Sequence, residues 1–156
     1  MKAILGLFAL LLVIALAIAF FQKNPNLIKS PFVKTPSVTI DKQTFSLLIA
    51  KTGDETQIGL SKKTSIPQNQ GMIFIFPKPD YYSFWMKDMK FPIDIIYINN
   101  NKIATIIPDA QPPKSQNESL PIFKPDEPAD KVLEINAGLS KKYNFKKGDE
   151  VKFENL

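Results

Sequence analysis

One unbroken apolar run at the N-terminus constrains this chain more than any other feature. Ala3 to Phe21 contains only Ala, Ile, Leu, Gly, Phe and Val. As a helix, these 19 residues cover roughly 28 Å, close to the ~30 Å hydrocarbon core of a bilayer. Two readings compete. The run is an uncleaved transmembrane anchor, or it is the core of a signal peptide. Its length favours the anchor, because signal cores are usually about 7–15 apolar residues. Ala17-Ile18-Ala19 has the small-residue spacing of a cleavage site, and cleavage there would make the protein secreted. A buried core helix is disfavoured by the lack of any polar face. Lys2 precedes the run and Lys23, Lys29 and Lys34 follow it, so the lysine count alone does not orient it. The short start offers no folded segment that would block export, and the expectation is a membrane-anchored chain with its domain outside the cytoplasm.

Composition narrows the chemistry. The chain has no Cys, no His and no Arg; all 20 basic residues are Lys. That excludes thiol nucleophiles, the Ser-His-Asp triad, disulfide staples and the usual zinc sites. No metal, cofactor or catalytic residue is assigned. The net charge of +5 comes from scattered lysines without arginine forks, so no nucleic-acid partner is expected.

Residues 22–37, punctuated by Pro25, Pro31 and Pro36, read as an extended stalk. Residues 38–156 form one domain, its patterned part ending at Phe153. Strand signals dominate. Val38 and Ile40 alternate with polar residues, as do Phe45, Leu47 and Ile49. Gly71 to Phe76 is a short apolar run that Pro77 is expected to stop. Ile93–Ile98 and Lys102–Ile107, joined by Asn99-Asn100-Asn101, read as a hairpin because Asn tolerates the left-handed conformation. Val132–Ile135 and Glu150–Phe153 supply further strands, the last entered through a turn at Lys147-Gly148-Asp149. Thr52 to Leu60 reads as the one short helix, with Asp54 as its N-cap. The expected fold is mainly β, a small sandwich or barrel-like domain. Pro108 to Pro128 holds six prolines in 21 residues, a loop length that marks function or mobility. Within it, Asn117-Glu118-Ser119 fits a glycosylation acceptor, a match common by chance.

The densest segment is Tyr81 to Ile98. Extended, it puts Tyr82, Phe84 and Met86 on one face, and Tyr81, Ser83, Trp85 and Lys87 on the other. The first is a core face. The second mixes rings, a hydroxyl and an ammonium, a surface for a sugar or peptide; the plainer reading packs Trp85 at a barrel edge. Asp94 lies in a strand apolar on both faces, so burial and a partner are expected, Lys87 first and Lys63 second. Glu134 is similar, between Leu133 and Ile135. Candidate ligand-binding residues are therefore Tyr81, Ser83, Trp85, Lys87, Asp94, Glu134 and Lys63.

The segments GLSKK (59–63), GMIFIFP (71–77), FWMKDMKFPIDIIYI (84–98), VLEINAG (132–138) and KKGDEV (146–151) resemble, in order and spacing, the signature blocks of the DUF192 family. The resemblance covers about Thr44 to Phe153. It implies a small, mostly β domain, often exported behind a signal or anchor, and no established reaction. Ser61 and Lys63 depart from the family's usual Met and Arg, and Lys lacks the bidentate fork of Arg.

Three functions follow. The first is a non-catalytic binding module at the cell envelope, with a glycan or peptide ligand and the membrane as partner. The second is a glycan-cleaving enzyme using Asp94 and Glu134 as an acid pair. The third is a structural subunit with a broad apolar patch. Whether the two carboxylates share a cleft discriminates the first two.

Overall fold

The computed structural model describes residues 2–24, 34–115 and 118–156, with the side chains of the first helix described from Leu11 onward. Most of the expected stalk and the Asn117 acceptor lie outside the described residues. The chain divides into two units, residues 1–34 and 35–156. In the first, α1 runs Lys2–Lys23. Among the described residues, no helix is long and apolar enough to cross a membrane.

The second unit is mainly β. In chain order it contains β1 (Ser37–Ile40), β2 (Gln43–Ala50), α2 (Gly53–Ile58), β3 (Gln70–Asp80), β4 (Phe84–Trp85), β5 (Ile93–Asn99), β6 (Lys102–Ala110), β7 (Ile122–Phe123), β8 (Ala129–Asn136), α3 (Leu139–Lys142) and β9 (Val151–Glu154). Seven strands make one sheet in the order β6-β5-β8-β3-β2-β1-β9, and β4 pairs with β7 as a separate ribbon. Among the described residues only β2 and β3 are parallel, joined by a crossover that carries α2. The sheet curls into a half-barrel. At one end its edges meet: the Gly148 N–H donates to Ile103 O at 2.8 Å and the Val151 N–H to Asn101 O at 2.9 Å.

The architecture is barrel-like, as expected, but it is one curled sheet rather than a two-sheet sandwich. Three further expectations are corrected. Among the described residues the domain holds two short helices, not one; α3 is four residues long, too short for any periodic signal. The N-cap of α2 is Thr52, not Asp54: Thr52 Oγ1 accepts the Glu55 N–H, and the Glu55 carboxylate accepts the Thr52 N–H, a capping box. Pro77 does not end β3. The strand continues to Asp80, with an irregular register between Ile75 and Asp80 that accommodates Pro77 and Pro79.

The hairpin is as read. β5 and β6 are joined by Asn100 and Asn101 alone, both at positive φ (48° and 57°), as a two-residue turn of this hand requires. The described parts of the proline-rich segment are pinned rather than free. β6 absorbs its start, β7 its middle, and the Tyr97 hydroxyl donates to Phe123 O at 3.1 Å. The Asp126 N–H donates to Thr105 Oγ1 at 3.0 Å.

The sheet buries both faces. On the inner face Val38, Ile40, Ile73, Ile96, Leu133 and Ile135 pack with Leu139 of α3 and Phe145. On the outer face Phe74, Ile95, Tyr97 and Val132 are covered by Leu60, Phe84, Met86 and Met89. Every residue of β5 from Ile93 to Ile98 is buried. Each large apolar side chain fully buried this way contributes about 1.5–3 kcal/mol.

Candidate functional site

Alternation along β8 decides the site. Leu133 and Ile135 point to the inner face, so Glu134 points to the outer one, between Met72 of β3 and Ile95 of β5. Glu134 is 6% exposed, and its Oε2 has no hydrogen-bond partner. An ionised carboxylate there would stand uncompensated among apolar groups. Burial accordingly pushes the Glu134 pKa up to about 8, so the acid is mostly protonated at neutral pH. Burial, and then the charge on Glu134, raise the phenol of Tyr97 on the adjoining strand.

Above Glu134 lies a narrow cavity of about 70 Å³. Its walls include Gly59 and Leu60 after α2, Phe74 of β3, Phe84 and Trp85 of β4, and Met89; Gln57, Ser83 and Lys87 also line it. The local sequence explains each wall. Gly59 terminates α2 at φ 51°, ψ −132°, a region that only glycine enters freely. A side chain there would begin 3.5 Å from the Phe74 ring and 3.9 Å from Glu134 Oε2. Gly71 lets β3 approach β8: a Cβ would stand 2.8 Å from Glu134 O. Phe84 is held edge-on against Phe74 and Tyr97, with centroids 5.1 and 5.9 Å apart. The alternation of β4 then turns Trp85 outward, 48% exposed, paired with exposed Ile122 of β7.

The Lys87 ammonium lies 5.6 Å from the Trp85 ring centroid, a cation–π contact. The two residues also line a wider groove of about 610 Å³ with Lys62, Asp88 and Lys90.

The structure brings together four of the sequence candidates: Ser83, Trp85, Lys87 and Glu134. Tyr81 is exposed and Lys63 lies in the turn after Leu60; neither lines the cavity. Asp94 is elsewhere. It is fully buried on the inner face, beside Ile135. The expected lysine partner is corrected. The Asp94 carboxylate accepts backbone N–H bonds from Asp109 at 2.8 Å, Gly138 at 3.0 Å and Ser140 at 2.8 Å. Main-chain donors can reach that depth where a lysine ammonium would lose its hydration. Asp94 and Glu134 therefore stand on opposite faces of the sheet, and the two do not form an acid pair in one cleft. The sequence reading missed Gly59, Phe74 and Met89. The run Ile58-Gly59-Leu60 at a helix end was the available signal for the first.

Residues 36–153 match the DUF192 family, described as an uncharacterized ACR. The chain belongs to the DUF192 family. Among solved structures, this DUF192 chain is similar to a protein of unknown function from Novosphingobium aromaticivorans. The two are 30% identical over 78% of this chain and 89% of that one, with a TM-score of 0.65. It is also similar to a protein from Sinorhizobium meliloti described as "a putative transcription regulator". That match is 26% identical over 78% of this chain and 93% of that one, with a TM-score of 0.65. No curated protein matches the chain.

Proposed function

We propose that this DUF192 chain is a membrane-tethered domain, standing outside the cytoplasm, that binds a cell-envelope glycan or peptide at the Trp85–Glu134 cavity without transforming it. The observation that carries the binding reading is that buried Glu134, whose Oε2 has no hydrogen-bond partner, lines a cavity beside an exposed Trp. Buried polar groups are ordinarily satisfied, and one that is not, at the floor of a pocket, supports a ligand site. A binding role is favoured over glycan cleavage because Asp94, the other half of the suggested acid pair, is occupied by three main-chain donors on the far face. The tether rests on the apolar run Ala3–Phe21.

Trp85 is the sole tryptophan, so its emission reports on this site alone. Full-length protein in non-ionic detergent, titrated with solubilised peptidoglycan fragments, is expected to show a saturable emission change. Glu134→Gln should weaken it while leaving the fold intact. A titration that never moves Trp85 emission, in protein whose melt shows it folded, sinks the reading.

A further inference from the structure

Resting on that reading of the cavity, we propose that the group it accepts is a primary ammonium, carried on a ligand whose other end is anionic. Glu134 lines the buried end of the cavity, and its enclosed Oε2 has no hydrogen-bond partner. Phe74, Phe84 and Trp85 supply three aromatic side chains to the cavity lining, the residue type that takes up cations. The cavity, about 70 Å³, admits a small head and a narrow stem rather than a ring. At the rim, one ammonium already stands over an aromatic wall: Lys87 Nζ lies 5.6 Å from the Trp85 ring centroid. Among the described residues, that ammonium makes no ion pair with Glu134. The adjoining groove carries three lysines, Lys62, Lys87 and Lys90, against one acid, Asp88, and is net positive. A purely cationic ligand would be repelled there, whereas a zwitterion sets its ammonium on Glu134 and its carboxylate among the lysines. Free amino acids and envelope peptides with an amino-bearing side chain have this form.

Three probes of one length separate the possibilities: 6-aminohexanoate, 6-hydroxyhexanoate and hexanoate. They share the carboxylate and differ only at the far end. Binding to full-length protein in non-ionic detergent is followed by calorimetry in buffers of different ionisation enthalpy. The titratable groups facing Glu134 are few: Lys87 at the rim and Tyr97 on β5, since α2 and β3 present none to the cavity. Between pH 7 and 9 the ammonium of the probe stays charged, because such amines titrate at ~10.4, while Glu134 crosses its pKa of about 8.

An ammonium must ionise Glu134. The expected result is saturable binding of 6-aminohexanoate with nearly one proton released at pH 7, and about tenfold tighter binding at pH 9. Glu134→Gln should lose about tenfold or more at pH 9 and abolish the proton release. Lys87→Met should retain the release. If 6-hydroxyhexanoate binds equally well, or hexanoate binds and tightens as pH falls, the ammonium assignment is overturned while the cavity remains a ligand site. If none of the three binds, the assignment fails, and the peptidoglycan titration separately decides the broader reading.

Discussion

Two acids on neighbouring strands answer burial in opposite ways, and the difference is measurable. Glu134 keeps a proton that an unfolded chain releases near pH 4.5 and the folded chain releases only near pH 8. Its protonation therefore favours the folded state fully below pH 4.5, and that contribution is lost as pH rises to about 8. The loss is on the order of 4 kcal/mol at ~1.36 kcal/mol per pKa unit. Glu134→Gln should match the parent in denaturant unfolding at pH 5 and exceed it at pH 8.5. Equal pH profiles would show that Glu134 does not hold its proton. Asp94 is satisfied by three N–H donors, and an amide in its place supplies one acceptor and opposes another donor. Asp94→Asn should lose ~3 kcal/mol by the same assay. Lys87→Met should not rescue Asp94→Leu, because Lys87 is not its partner. Asp94 was legible as an anomaly, a charge in an apolar strand. Its partners were not, because the donors are backbone groups 15, 44 and 46 residues away, and any residue but proline carries one.

At the scale of elements, what is local was readable. The β5–β6 hairpin is written in two strands and two asparagines, because both residues of the turn must adopt positive φ. Glycine enters that conformation without a side-chain penalty. Asn101→Gly should therefore raise stability by about 0.5 kcal/mol in denaturant melts, less its gain in unfolded-state entropy. A marked loss would mean that the Asn101 side chain contributes more than its backbone. The α2 capping box is equally local: Thr52 and Glu55, rather than Asp54, have the reciprocal spacing. The parallel pairing of β2 with β3 and the joining of β4 to β7 were not legible. They depend on which distant strand is adjacent, and register Trp85 opposite Ile122 leaves no mark in either segment. The alternation of Tyr81 to Lys87 did place Ser83, Trp85 and Lys87 on one side, although the regular strand is only two residues long.

For the whole molecule, the expectation is a single cooperative domain delivered behind its apolar run. Fractionation should recover the chain with membranes, and protease added to intact cells should digest the region after residue 37. Recovery of full-length chain from the cytosol would overturn the tethered reading. The curled sheet has one consequence for the order of events in the cell. β1, the first strand made, is flanked by β2 and by β9, the last. A ribosome or a translocation pore releases the chain from its N-terminus, so Val38 gains its second neighbour only when Phe153 has emerged. Until then the inner face stays open along that seam, with no disulfide to hold it shut. The domain is in effect a parcel whose last flap is also its seal. A nascent chain stalled before residue 151 should remain a substrate for chaperones, however complete the rest of its sheet.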